Sequence, residues 1–468
     1  MKKFTFLSCC LFLVLPLTTQ AVVVNDVTGM TPVEVTAVMQ PESTQQVAEL
    51  IKNSKGPISI AGKKYSMGGQ TAINNGIQID TQKLNHVIDF NPEQKLLTIE
   101  TGATWRQVQE LIDPYNLSVK IMQSYANFSI GGSLSVNVHG RYIGEGPIIL
   151  SVEKFKIVLA DGSIVEASPK ENQDIFYGAI GGYGGLGVIT EVTLRLADNV
   201  KVKRISDVMP ITQYYPYFMQ QIRSDKRAIF HNSVIYPPDF EEVRAVTFKE
   251  TQEPLTILDR LRPTDQYSYD QEQKIKIVAS SDEGKRLRKL YDDLDYIQQP
   301  VMWRNYEASF DVSNLQPIKD KDKSFALEEY FIPVDRFEDF YPELIAILKK
   351  HRANVINISI RHANADSGSL LAWAKTEVFA FVIYYQQATD EQSKKEVGIW
   401  TRELIDAVLA KGGSYYLPYQ LHATSEQFQR AYPQAERFFK LKAQLDPENK
   451  FSNMMLKKYG PSAVQQVK

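Results

Sequence analysis

The chain has 468 residues, 43% of them hydrophobic and 11% aromatic, with 53 basic against 55 acidic side chains and a formal net charge of −2. That is enough apolar mass for a large core in more than one domain, and it excludes a disordered chain. The balanced charge offers nothing to nucleic acid or to an anionic membrane surface.

Lys2-Lys3, an apolar run from Phe4 to Leu17 and then Thr19-Gln20-Ala21 follow the order of a charged region, a hydrophobic region and a small-residue cleavage site. Residues 1–21 therefore read as a secretory signal peptide, and the protein as exported, periplasmic or secreted, with no transmembrane span once the leader is removed. A retained anchor is the alternative, against which the shortness of the run argues. Cys9 and Cys10 are the two cysteines, so the mature chain contains none. Disulfides, thiolate catalysis and Cys-based metal sites are thereby excluded.

Ser43-Thr-Gln-Gln46 predicts a capped helix carrying Val47, Leu50 and Ile51, stopped between Asn53 and Pro57. Ile58 and Ile60 open a short strand that runs into "AGKKYSMGGQ" (61–70). "LLTIETG" (96–102) predicts a strand ended by Gly102, after which Thr104 and Gln107 cap a helix over Val108, Leu111 and Ile112. "FKIVLADGSIVEAS" (155–168) predicts a hairpin turning on Asp161-Gly162. Beyond about residue 200 the glycine density falls. Residues 328–350 read as a strand, a break at Pro333 and an amphipathic helix. Residues 354–366 and 378–387 read as further strands, 319–323 as a solvated Lys-Asp loop, and 438–453 as a helix ending at Asp446-Pro447.

Three segments concentrate glycine and small residues: 61–70, "SIGGSLSVNVHG" (129–140) and "GGYGGLGVI" (181–189). Glycine lets the backbone approach a ligand closely, and consecutive N–H groups make a concave anion site. Any one cluster is ordinary turn chemistry; three of different form within 130 residues suggest a long phosphate-bearing cofactor lying across loops. A Walker A loop and a GxGxxG opening a helix are both absent, which disfavours a nucleotide P-loop and a nicotinamide Rossmann domain.

The order "ISIAGKKYSMGGQ", "IETGATWRQV", "SIGGSLSVNVHG" and "DIFYGAIGGYGGLGVITEVTLRL" resembles FAD-dependent oxidoreductases of the vanillyl-alcohol-oxidase (PCMH-type FAD-binding) superfamily. It is most similar to their sugar-lactone and alditol oxidase branch, with D-arabinono-1,4-lactone and L-gulonolactone oxidases, and more distantly to decaprenylphosphoryl-ribose oxidase. The resemblance implies an α+β fold. A two-subdomain FAD-binding domain would span 22–197, an antiparallel-sheet substrate (cap) domain 198–424, and a segment returning to the FAD domain 425–468. It implies that Ala61, Gly62, Lys63, Lys64, Tyr65, Ser66, Met67 and Gln70 contact the FAD pyrophosphate. Ser124, Ser129, Ile130, Gly131, Gly132, Asn137 and His139 would form a second flavin-contacting segment, with Val188 at the adenine and Tyr416 beside the flavin. Many relatives carry a flavin-linked histidine where this chain has Tyr65, so FAD is expected to be noncovalent.

The pattern of "NVINISIRH" puts Ile356, Ile358 and Ile360 on one strand face and Asn357, Ser359 and Arg361 on the other. By resemblance the polar face roofs the flavin, with Ser359-x-Arg361 in place of Glu-x-Arg. Arg361 would stabilise negative charge on reduced flavin. His422 falls where the branch has a lysine, and would take the substrate hydroxyl proton or buffer charge. Tyr419 replaces a substrate-binding lysine, Val138 is bulkier than the residue usual before His139, and Tyr385 could project toward the pocket from a core strand. His86, His231, His351 and His362 have no partner at metal-ligand spacing and read as structural or surface residues. The implied reaction is oxidation of a CH–OH group on a sugar, sugar-lactone or polyol-like substrate, with electrons passed to O2 or another acceptor. Two alternatives stand beside it: a flavoprotein working with a partner, as in decaprenylphosphoryl-ribose epimerisation, and a flavin- or carbohydrate-binding protein without turnover.

Overall fold

A computed structural model describes residues 21–264, 269–311, 322–366 and 368–461. The leader through residue 20, and the Lys-Asp stretch up to residue 321, lie outside the described residues.

The first predicted helix forms at Thr44–Asn53, where Ser43 Oγ accepts the Gln46 N–H. Gln46 Oε1 reaches back one residue further than a capping box requires, to the Glu42 N–H at 2.8 Å. The second helix, Trp105–Ile112, has the full reciprocal box between Thr104 and Gln107. Each packs beside a small sheet. Ala37–Met39, Ile77–Asp80 and Ile58–Ala61 form a three-stranded parallel sheet with Ile77–Asp80 in the middle. A second, antiparallel sheet holds the predicted hairpin, Val152–Val158 with Ile164–Ala167, and pairs Leu96–Glu100 with Val188–Asp198. Asp161 Oδ1 accepts the Ser163 N–H at 2.8 Å, and Gly162 takes φ +80, as the tight turn demands.

After Val188–Asp198 the chain enters an eight-stranded antiparallel sheet. Its spatial order is Val301–Trp303, Lys201–Pro210, Glu242–Glu250, Ala228–Ile235, Asn354–Ala363, Val378–Ala388, Lys323–Pro333 and Ser414–Tyr415. Phe337–Lys350 and Glu391–Ala410 cover one face, where Trp400 meets Tyr385 edge-on at 5.1 Å. The other face looks toward the glycine segments. Beyond the large sheet the tail returns to the parallel sheet, where the Ile58 N–H donates to the Lys450 carbonyl at 2.6 Å and the Ser452 N–H to the Ile58 carbonyl at 2.9 Å.

Strand alternation corrects two expectations. Tyr385 belongs to the helix-covered face, and its neighbour Tyr384 points to the open side. A bulge between Val355 and Asn357 sets two residues against one on Val378–Ala388, so Ile356 leaves the face of Ile358 and Ile360 and packs with Val278, Ala279 and Phe325. Among the described residues no helix is long and apolar enough to cross a membrane.

Candidate active site

Between the open sheet face and the glycine loops lies a cavity of about 1080 Å3, and Gly62, Ser66 and Gly132 form a wall that it shares with a slot of about 60 Å3. The slot runs past Thr101, Tyr183, Gly184 and Gly187, so the third glycine segment forms its far end. A wide chamber beside a narrow slot along backbone suits an elongated molecule with a broad head.

The first glycine turn is shaped by its contacts. A Cβ on Gly62 would collide with Ser129 Oγ, one on Gly68 would meet the Tyr419 carbonyl, and Lys64 sits at φ +61. The turn is bolted to the tail, because the Met67 N–H donates to the Pro418 carbonyl at 2.6 Å and Gln70 Nε2 to those of Leu417 and Tyr419 at 2.7 and 2.8 Å. Tyr65 stacks on Phe128 with centroids 4.0 Å apart and planes 15° apart.

Most of the residues expected at the cofactor converge here. Gly62 through Met67 line the chamber from one side, Ser124, Ser129, Gly132 and His139 from a second, and Ser359, Arg361 and Tyr416 from the sheet and tail. Gln70 and Gly131 line the slot. Four do not present side chains to either space. Ala61, Ile130 and Val188 are packed in the core, although Gly187 and Ile189 flank the last of these in the slot. Asn137 is a buried pin, donating to Asp366 Oδ2 at 2.6 Å and accepting the Ile149 N–H at 3.2 Å.

His422 lies elsewhere. Its ring bonds Gln420 Oε1 at 2.6 Å and sits 3.9 Å from Glu328, the acid on the helix-covered side of its strand. Burial, with Lys458 and Arg402 nearby, pushes the imidazole down to about 3, so it stays neutral and off the chamber. Of the carboxylates that line the chamber, the one from this strand is Glu329, which faces the opposite way from Glu328 because neighbours in a strand alternate. Glu329 Oε1 is 2.6 Å from His139 Nε2, and Oε2 accepts from the Tyr419 hydroxyl at 3.1 Å. Sequence reasoning missed it; adjacent acids in an apolar strand were the signal, since one of the two had to face each side.

Cations gather at the same wall. Arg141 pairs with Glu307 at 2.8 Å, and Arg262 joins that carboxylate at 3.3 Å while lying 3.8 Å over Phe310. Arg361 has no ion-pair partner within 4 Å among the described residues, and its Nε is buried without a hydrogen bond. The rim is mixed: Ile277, Leu287 and Tyr291 line the cavity and are exposed, and so are Lys63, Lys274 and Asp295. Helix Asp282–Asp295 turns that side outward and directs Arg288 inward to the Ile356 carbonyl at 2.8 Å and Asn357 Oδ1 at 2.9 Å.

The fit to FAD is decided by atoms left over. Ser124 Oγ and Ser129 Oγ are buried on residues that line the chamber and have no hydrogen-bond partner among the described residues. A ligand with phosphate or ring acceptors satisfies them, and the glycines leave room for it.

Comparison with known proteins agrees. The FAD binding domain family matches residues 35–168, and the D-arabinono-1,4-lactone oxidase family matches residues 283–459. The chain belongs to the PCMH-type FAD-binding superfamily of oxidoreductases. This flavoprotein is 21% identical to mouse (Mus musculus) L-gulonolactone oxidase over 441 residues, covering 90% of this chain and 94% of the relative. It is 29% identical to cytokinin dehydrogenase 5 of Arabidopsis thaliana over 178 residues, 35% of this chain and 32% of that protein. The chain thus spans only about a third of the length of such shorter matches. A solved cholesterol oxidase from Brevibacterium sterolicum superposes with a TM-score of 0.72 at 12% identity, over 94% of this chain and 97% of that one, and shares the α+β fold with its antiparallel cap.

Proposed function

We propose that this flavoprotein oxidises a CH–OH group of a sugar, sugar-lactone or polyol-like substrate, using FAD held without a covalent bond at Tyr65. The observation that carries the reading is the convergence of the first two glycine segments, the unpartnered serines and Arg361 on one chamber. Likeness to lactone oxidases over both halves of the chain supports the substrate class.

Bound FAD supplies a two-electron acceptor for the hydride leaving the substrate carbon. The residues of the chain do the rest. Gly62, Ser66, Ser129 and Gly132 hold the cofactor's polar length, mostly through backbone N–H groups. Tyr65, stacked on Phe128, closes one side of the chamber with an aromatic wall. Arg361, held by the sheet and otherwise uncommitted, stabilises negative charge as it develops in the chamber. Ser359 leaves the space that an acid would fill in the branch. Val138, beside His139, lines the chamber, and the electrons pass on to O2 or another acceptor. The leader at residues 1–21 supports export.

The test is the absorption spectrum of the purified protein before and after acid precipitation, followed by anaerobic mixing with D-arabinono-1,4-lactone, L-gulono-1,4-lactone and alditols. A flavin band that moves to the supernatant and bleaches with one of these substrates is expected. Flavin retained in the pellet refutes noncovalent binding, and absence of flavin after added FAD refutes the reading itself.

A further inference from the structure

Oxidation of an alcohol releases a hydroxyl proton as well as a hydride, and this inference rests on that reading of the site. The histidine expected to take the proton lies off the chamber, so the acceptor has to be sought among the groups that do face it. Glu329 is 2% exposed and lines the chamber. His139 Nδ1 is 3.2 Å from the Gly140 carbonyl, which can only accept, so Nδ1 carries a hydrogen and one proton is held between Nε2 and Glu329 Oε1. Among the described residues, the other carboxylate oxygen is hydrogen-bonded only by the Tyr419 hydroxyl. The neighbouring Tyr416 hydroxyl is committed to the Val136 carbonyl at 2.9 Å. Tyr419 therefore has a carboxylate behind its hydroxyl and the chamber in front.

We propose that Tyr419 and Glu329 form the proton exit of the oxidation. The substrate O–H bond breaks toward Tyr419 Oη as the tyrosine passes its own hydrogen to Glu329 Oε2. The C–H bond gives its hydride, with both electrons, to FAD. The carbon–oxygen bond becomes a carbonyl, and the carboxylate ends as a neutral acid. Tyr419 is the catalytic residue; Glu329 acts through it, and His139 positions Glu329.

The groups facing Glu329 fit this role. Burial alone raises its carboxyl, but the charge and hydrogen bond of His139, the Arg361 guanidinium and the Tyr419 hydroxyl outweigh that and hold it below the usual range. Tyr183, Tyr416 and Tyr432 also look toward it, and burial keeps all three phenols protonated and neutral. Glu329 thus waits as an anion, and its neutralisation leaves Arg361 to balance the charge that arrives with the hydride.

The experiment measures the midpoint potential of bound FAD in the holoprotein from about pH 6 to about pH 8, in wild type, Glu329→Gln and Tyr419→Phe. Each proton taken up with the two electrons changes the equilibrium tenfold per pH unit, about 30 mV. Wild type and Tyr419→Phe are expected to be steeper than Glu329→Gln by about one such proton, 30 mV per pH unit. Equal slopes in wild type and Glu329→Gln overturn the assignment, as does a Tyr419→Phe slope that matches Glu329→Gln. Rapid anaerobic mixing with D-arabinono-1,4-lactone adds a second readout, in which Tyr419→Phe bleaches about 10²-fold more slowly with unchanged lactone affinity. An unslowed Tyr419→Phe overturns the relay even where Glu329→Gln fails to hold FAD. A wild-type flavin that no lactone or alditol bleaches refutes the oxidation reading, whereas the potential slopes still decide Glu329.

Discussion

Gln70 Nε2 donates to the carbonyls of both Leu417 and Tyr419, joining two parts of the chain 347 and 349 residues apart in sequence. Its Oε1 accepts the Gly68 N–H at 2.8 Å, so one amide fixes the glycine turn and registers the tail against it. Gln70→Leu leaves two carbonyls and one N–H without partners at a buried site. A loss of about 2–4 kcal/mol is expected, given about 1–3 kcal/mol for each unsatisfied group with partial rescue by water. Denaturant unfolding of the holoprotein checks it, and a faster release of FAD should accompany the loss because Tyr419 and Met67 shift together.

Gly62 has no room for a side chain because Ser129 Oγ occupies the position of its Cβ. Gly62→Ala is expected to purify with little or no flavin while keeping its far-ultraviolet circular dichroism. Ser129→Ala removes the colliding oxygen, so the double variant should recover part of the flavin that the single variant loses. Flavin-to-protein absorbance ratios for the four proteins of this cycle measure the coupling directly.

Arg361 contributes to the site without holding up the fold, since its guanidinium makes no ion pair among the described residues and its Nε is orphaned. Arg361→Gln is expected to slow substrate-driven bleaching by about 10²–10³-fold, the usual cost of removing one preorganised charge stabiliser. Its melting temperature should stay within a few degrees of wild type. A large drop in melting temperature with unchanged bleaching would reverse the role given to this residue.

A buried and a half-buried histidine set an acid limit on stability. His231, bonded between Tyr214 and Thr247, and His422 are both pushed down to about 3, chiefly by burial. The unfolded chain protonates each near its ordinary value of 6.5, whereas the folded chain does not until about 3. Stability is therefore full above about pH 6.5 and falls as pH drops toward 3, by up to about 1.4 kcal/mol per pH unit for each histidine. Urea unfolding at a series of pH values tests this, and His422→Gln should remove about half of the slope between about pH 6 and pH 5.

Local structure was largely legible in the sequence, because the forces that fix it act over a few residues. The Thr104–Gln107 box, the Asp161-Gly162 turn and the break at Pro333 all formed where capping, turn chemistry and proline geometry require them. Most of the residues to which the resemblance of the glycine segments pointed likewise lie around the chamber or its slot, since backbone approach to a cofactor leaves its mark as glycine in fixed order. What lay beyond reach was every decision about which side of a strand meets which neighbour. A single bulge moved Ile356 across the sheet, and alternation sent Tyr384 rather than Tyr385, and Glu329 rather than Glu328, to the chamber. His422 matched a motif position and yet turned toward Gln420 and the helix-covered face. Residues 139, 329 and 419 meet because three distant segments pack around one space. Periodicity records that a residue has a face; only long-range packing decides what that face encounters.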